Sequence, residues 1–234
     1  MSEALNVSYL SIGSMNIPDQ AYSDATGIEN FTNLLVLDVS GNNLTAITVS
    51  ALTGLTASYI ACHQIATIDV SGFSSLTLLS ATLAGLTAIN VSGCTALEKL
   101  YVGNNVLTNL NLDGLSALNY LSAEWNQLAV ISTAGLTAMV NFGCYHNNLT
   151  ALDVSQMPNL TGLTCGMNQI GFLDVSGSPY LNNFEASNNQ LLAMNLKNGS
   201  YVPMTSFNFA SNPNLAYICI DSVDLNNVTT RLSQ

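Results

Sequence analysis

The sequence predicts an all-β-leaning solenoid of about ten rungs, with parallel strands on one face and an extended or 3-10 convex side. Three observations carry this prediction. The pattern LxxLxLxxNxL fits at Leu34, Leu55, Leu76, Leu97, Leu118, Met139, Leu160 and Leu181, an unbroken period of 21 residues. Apolar residues stand two apart both inside the pattern and after it, as in Leu152 with Val154. That is the period of extended chain rather than of helix. No composition shift, linker or charge block interrupts the series, so a single continuous domain is expected.

A degenerate rung opens at Val7, and six extra residues within PDQAYSDATG separate it from Leu34. Residues 1–33 are therefore a degenerate first repeat with an insertion, and 34–201 hold eight regular repeats. A two-residue insertion precedes a last fit at Met204, so 202–234 hold the final repeat and a closing segment with a possible strand at Tyr217–Ile220. Within a rung the fourth and sixth positions point inward on a short strand, as Leu100 with Val102 or Phe142 with Cys144. Parallel strands spaced about 4.8 Å apart make ten rungs roughly 45 Å long. Asn42, Asn105, Asn126, Asn147, Asn168, Asn189 and Asn212 recur where the strand ends. An amide side chain there can satisfy backbone groups that the turn leaves unpaired. The series breaks at Met15, His63 and Ala84, which predicts a less regular N-terminal third.

Units such as LEKLYVGNNVL, LTGLTCGMNQI and LNNFEASNNQL, joined to segments such as ALDVS and FLDVS, resemble leucine-rich repeats of the short, 21-residue bacterial type. Internalin-like adhesins and the surface repeats common in Bacteroidetes are nearest in style, and NPNLAYICIDSVD is similar to the closing segment of the latter. The resemblance implies a recognition or adhesion module rather than an enzyme.

Apolar residues make up 48% of the chain and charged residues only 7%, against roughly 25% charged in an ordinary soluble protein. The polar surface must then be built from Ser, Thr, Asn and Gly, which suits an extracellular or cell-surface protein, or a virion surface. Lys99, Lys197 and Arg231 face 14 acids, for a net charge of -11, so nucleic acid has no clustered cations to bind. No apolar run approaches the length of a membrane span, and membrane insertion is not expected. MSEALNVSYLSIGSMNI has neither a basic flank nor a long apolar stretch, so no signal peptide is read there.

Catalytic, cofactor and metal sites are not expected. The five cysteines lack CxxC spacing, and Cys144 and Cys165 fill one inward column as small hydrophobes, poorly placed for a disulfide. His63 and His146 lie four units apart, about 19 Å at the rung spacing. Glu124 beside His146 across one rung is the sole acid–base pairing the sequence places, and it reads as a surface contact. The acids of LDVS and IDVS recur singly, without a calcium loop. The eight Asn-x-Ser/Thr sequons follow from a repeat rich in Asn, Leu and Thr, and no glycosylation is read from them.

The outward columns carry the candidate site. The fifth position reads Ser11, Asp38, Tyr59, Ser80, Tyr101, Ser122, Gly143, Thr164, Glu185, Asn208. Adjoining columns add Lys99, Tyr120, Glu124, Trp125, Tyr145 and His146. Aromatics gather in the fourth to sixth regular units, where flat apolar area with polar edges suits a protein or glycan ligand. Lys99, Glu124 and His146 would fix its orientation. The plainer alternative is that Trp125 and Tyr120 simply cover their neighbours. The ligand-binding set is thus Tyr59, Lys99, Tyr101, Tyr120, Glu124, Trp125, Tyr145 and His146. Ahead of the first strand stand only the residues MSEALN, with no cap helix. That predicts truncation from a larger protein, or self-association or docking through the thinly capped first rung. The competing function is a structural building block, a virion decoration protein or filament subunit.

Overall fold

The computed structural model describes residues 7–12, 21–61, 64–199 and 206–222. Ten short strands form one parallel sheet whose spatial order is the chain order. They are Tyr9–Ser11, Val36–Asp38, Ala57–Tyr59, Leu78–Ser80, Lys99–Tyr101, Tyr120–Ser122, Asn141–Gly143, Gly162–Thr164, Asn183–Glu185 and Ser206–Asn208. Leu37 pairs with Ser58, Ser58 with Leu79, and Leu100 with Leu121, one repeat apart. The insertions are absorbed between strands: Tyr9 still pairs with Val36 and Asn183 with Ser206. Pairing follows the fixed apolar positions because a one-residue slip would turn each Leu to water.

The return side is extended too. It carries a two-stranded sheet of Thr67–Asp69 with Ala88–Asn90, another of Asn109–Asn111 with Val130–Ser132, and a three-stranded one. The last joins Phe172–Asp174, Ala193–Asn195 and Tyr217–Cys219, so the anticipated closing strand exists and lies on this second face. Among the described residues the 3-10 helix Ile28–Asn30, beside the N-terminal insertion, is the one helical element.

Between the two faces runs one continuous core of stacked columns, from Leu34 and Leu37 through Leu100 and Leu121 to Phe184 and Phe207. Each large buried side chain removes about 2 kcal/mol worth of apolar surface from water, and each packs only on the rungs beside it.

The Asn series ties rungs together by hydrogen bonds. Asn126 Oδ1 accepts from Leu107 N at 3.0 Å, while its Nδ2 donates to Val102 O at 2.9 Å and Ala123 O at 3.2 Å. Asn147 repeats this with Leu128 N, Ala123 O and Cys144 O. One amide thus satisfies groups from two rungs, and these Asn side chains are buried. Where Ala84 breaks the series, Asn105 of the next rung accepts from Leu86 N, as Asn126 and Asn147 accept from Leu107 N and Leu128 N, and from Ala84 N in addition. Met15 and His63, the other two breaks, lie outside the described residues. On the return side, Asp69, Asp153 and Asp174 accept from the backbone N–H two residues on, and Asn90, Asn111 and Asn195 do the same. These turn contacts account for the acids of LDVS and IDVS.

Candidate functional site

Strand alternation sends Leu100 and Leu121 inward and leaves Lys99, Tyr101 and Tyr120 on the outer surface of the ten-stranded sheet. Lys99 pairs in register with Tyr120. The Tyr101 and Tyr120 rings stand 5.1 Å apart at 36°. Tyr120 titrates above its ordinary value because it is partly buried, with Tyr101 and Glu124 adding to the effect. Its phenol therefore remains a hydrogen-bond donor at neutral pH.

A second aromatic group lies at the strand exit. Trp125 stacks on His146, centroids 4.0 Å apart and planes 19° off parallel, and Tyr145 stands 6.2 Å from the Trp125 ring. Trp125 is half exposed.

Glu124 sits between the groups. Its carboxylate accepts from Ser122 Oγ at 2.5 Å, and a Cβ added to Gly143 would fall 1.9 Å from Glu124 Oε1. The acid therefore lies over bare backbone, with Gly143 making the room. The pairing of Glu124 with His146 is replaced by separate neighbours: the acid turns to Ser122, and the imidazole to Trp125. Gly166 does for Tyr145 and Glu185 what Gly143 does for Glu124; a Cβ there would stand 3.1 Å from Tyr145 and 2.7 Å from Glu185 Oε1. The two carboxylates and the Tyr145 ring thus fill the space a side chain would take, and they cover the buried backbone of Gly143 and Gly166.

Of the eight residues singled out in the sequence, seven adjoin one another across three successive strands and their exits. Tyr59 stands apart, with Ser80 between it and Tyr101 in the same column. Sequence reasoning missed the backbone at the eighth position. Leu83, Asn104, Trp125, His146, Met167, Asn188 and Ser211 all have φ between 50° and 59°. The N–H there donates across to the next rung, as Trp125 N to Tyr145 O at 2.9 Å and Met167 N to Ser187 O at 2.9 Å. This left-handed conformation costs a non-glycine residue about 1 kcal/mol or more, and Asn bears it most readily. The Asn residues at 104 and 188 were the available signal.

An apolar row on the return face was also missed. Phe172 pairs with Ala193 and Ala193 with Tyr217, and Phe172, Leu192 and Tyr217 are all exposed. Leu173 and Val175 follow the inward period of 2, and Phe172 is the residue that alternation turns outward.

Cys144 and Cys165 belong to the core. Both are fully buried, and burial drives the Cys165 thiol up to about 12 and raises that of Cys144 as well. Such thiols remain protonated and unreactive. Among the described residues no cluster of His, Cys, Asp or Glu could hold a metal ion, and no helix is long and apolar enough to cross a membrane.

Neither a protein-family model nor a curated protein matches the chain. Among solved structures it is similar to the functional domain of InlJ from Listeria monocytogenes, described as including a cysteine ladder. The TM-score is 0.59 at 21% identity, over 94% of this chain and 54% of that one. An LRR protein of Leptospira interrogans, LIC12759, gives a TM-score of 0.49 at 17% identity, over 83% of this chain and 62% of that one. An internalin, InlF, from Listeria monocytogenes gives 0.42 at 20% identity, over 95% and 84%. The chain thus spans about half the length of the InlJ domain it matches. The InlJ likeness shows the fold alone: the chain is a solenoid of leucine-rich repeat type, with its parallel strands stacked in chain order.

Proposed function

We propose that the chain is a non-enzymatic recognition or adhesion module that binds a protein or glycan ligand on its ten-stranded face, outside the cell or on its surface. The observation that carries this reading is the gathering of Tyr101, Tyr120, Trp125 and Tyr145 on one face within three successive rungs, with Glu124 seated among them over Gly143. Rigid aromatics present large contact area at low entropic cost, and Lys99 and Glu124 add directional polar contacts at its edge. The internalin-like fold supports a module of this kind.

The test is retention of the labelled chain on a panel of immobilised extracellular proteins and glycans. Tyr101→Ser with Tyr120→Asn uses residues the chain itself places in those columns, Ser122 and Asn141. The double variant is expected to lose retention with an unchanged melting temperature. Undiminished retention would remove this face from consideration.

The exposed row Phe172, Leu192 and Tyr217 favours a second reading, a building block that assembles through its return face. Light scattering on the purified chain separates the two: a monomer supports the module, and a defined oligomer or fibre supports assembly.

A further inference from the structure

We propose that the left-handed column at the strand exits is itself a binding ridge, in which Leu83, Trp125, His146 and Met167 grip an extended polypeptide whose apolar side chains are flanked by Lys or Arg. This rests on the reading of the chain as a recognition module, but it moves the main contacts from the sheet to its border.

Three observations lead there. Leu83, Trp125 and Met167 hold positive φ angles of 58°, 56° and 50°, where bulky side chains are strained. Burial offsets little of this, since they remain 52%, 50% and 38% exposed, although Trp125 has the His146 ring stacked on one side. The same column accepts Asn104, Asn188 and Ser211, so the fold itself does not call for bulk there. Strain kept at an exposed position, against easier residues in neighbouring rungs, points to a contact outside the chain.

The chemistry of the column selects the partner. Leu83 and Met167 offer neither a flat ring for a sugar face nor donors for its hydroxyls. They suit aliphatic and aromatic side chains, for which methionine is an adaptable contact. Charge selects further. Glu124, next to Trp125 in the chain, and Glu185, whose carboxylate accepts from Ser187 N, stand on the strand-exit side, in a chain of net charge -11. A basic segment is therefore attracted and an acidic one repelled. From Leu83 to Met167 is four rung steps, about 19 Å, or about six residues of extended chain.

The probe is a phage-displayed library of random 12-residue peptides, panned on the wild-type chain, with a glycan array run in parallel. Trp125 is the single tryptophan, so its fluorescence reads the binding of each enriched peptide directly. Enriched peptides are expected to join apolar residues to Lys or Arg, to bind more weakly as salt rises, and to shift Trp125 emission. Affinity, measured by calorimetry, should fall about tenfold or more in Leu83→Asn/Trp125→Asn/Met167→Asn. Leu83→Asn and Met167→Asn alone should melt no lower than wild type and up to about 2 °C higher. If both single variants melt clearly lower, the side chains are structural and the ridge is overturned. Peptide binding that survives the triple variant but is lost in Tyr101→Ser/Tyr120→Asn would overturn the ridge and leave the sheet-face reading standing. Enrichment of no peptide, or binding confined to the glycan array, would overturn it as well.

Discussion

The rungs around Asn126 and Asn147 and those around Ser58 and Ala84 are built to one plan, yet they satisfy their interiors differently. In the central rungs each buried amide reaches backbone groups of its own rung and the one before. In the N-terminal rungs Ala84 has no amide to offer, and Asn105 serves two N–H groups at once. Ser58 occupies an inward position between Leu37 and Leu79, and its hydroxyl is buried without a hydrogen-bond partner. The difference teaches that stacking tolerates a lapse in the hydrogen bonding of one rung when its apolar columns still pack on the rungs to either side. Nearest-neighbour stability of this kind is a property of solenoids.

The comparison can be broken most sharply in the centre. Asn147→Leu would orphan Leu128 N and remove donors from Ala123 O and Cys144 O, all buried. A loss of about 3 kcal/mol is expected, read from the shift in the urea midpoint. The N-terminal rungs should respond in the opposite sense. Ser58→Ala deletes the orphaned hydroxyl and should stabilise by about 1 kcal/mol in the same assay; a loss of stability would mean that the hydroxyl has a role the packing does not reveal.

The smallest effect is electrostatic and belongs to the return side. Hydrogen bonds from Ser71 and Ser155, chiefly their backbone N–H groups, hold the Asp69 and Asp153 carboxyls below the ordinary value; the Ser176 side chain leads for Asp174. A carboxyl depressed in the folded state stabilises fully above its unfolded pKa of about 4. That contribution fades as pH falls through the lowered folded value. All three are largely open to solvent, so screening keeps the effect small. Asp153→Asn retains the turn acceptor, as Asn90 and Asn195 do. It should flatten the acid limb of a melting-temperature profile and leave the neutral limb unchanged.

Much of this architecture was legible because the apolar positions and the Asn series are fixed by contacts between rungs, and such contacts repeat with the period. Leu100, Leu121 and Phe142 announce themselves in that way. The site was legible only as a set of columns. That Tyr101 meets Tyr120, that Trp125 lies on His146, and that Glu124 turns onto Gly143 are decided by side-chain rotation and by which neighbour lacks a Cβ. No periodicity encodes these choices. The left-handed backbone at the eighth position was hidden for another reason: it is set by cross-rung hydrogen bonds, and Leu83, Trp125 and Met167 occupy it against their local preference.

The central claim is that fold and recognition are written at different positions of the rung. Its most direct measurement is the urea midpoint of one variant carrying Tyr59→Ser, Tyr101→Ser, Tyr120→Asn, Trp125→Asn and Tyr145→Ser. Each replacement matches a residue type found in the same column of another rung. A cooperative transition with a midpoint close to that of the wild type is the predicted result. A collapsed or broadened transition would contradict the claim, because the outward aromatics would then be holding the solenoid together.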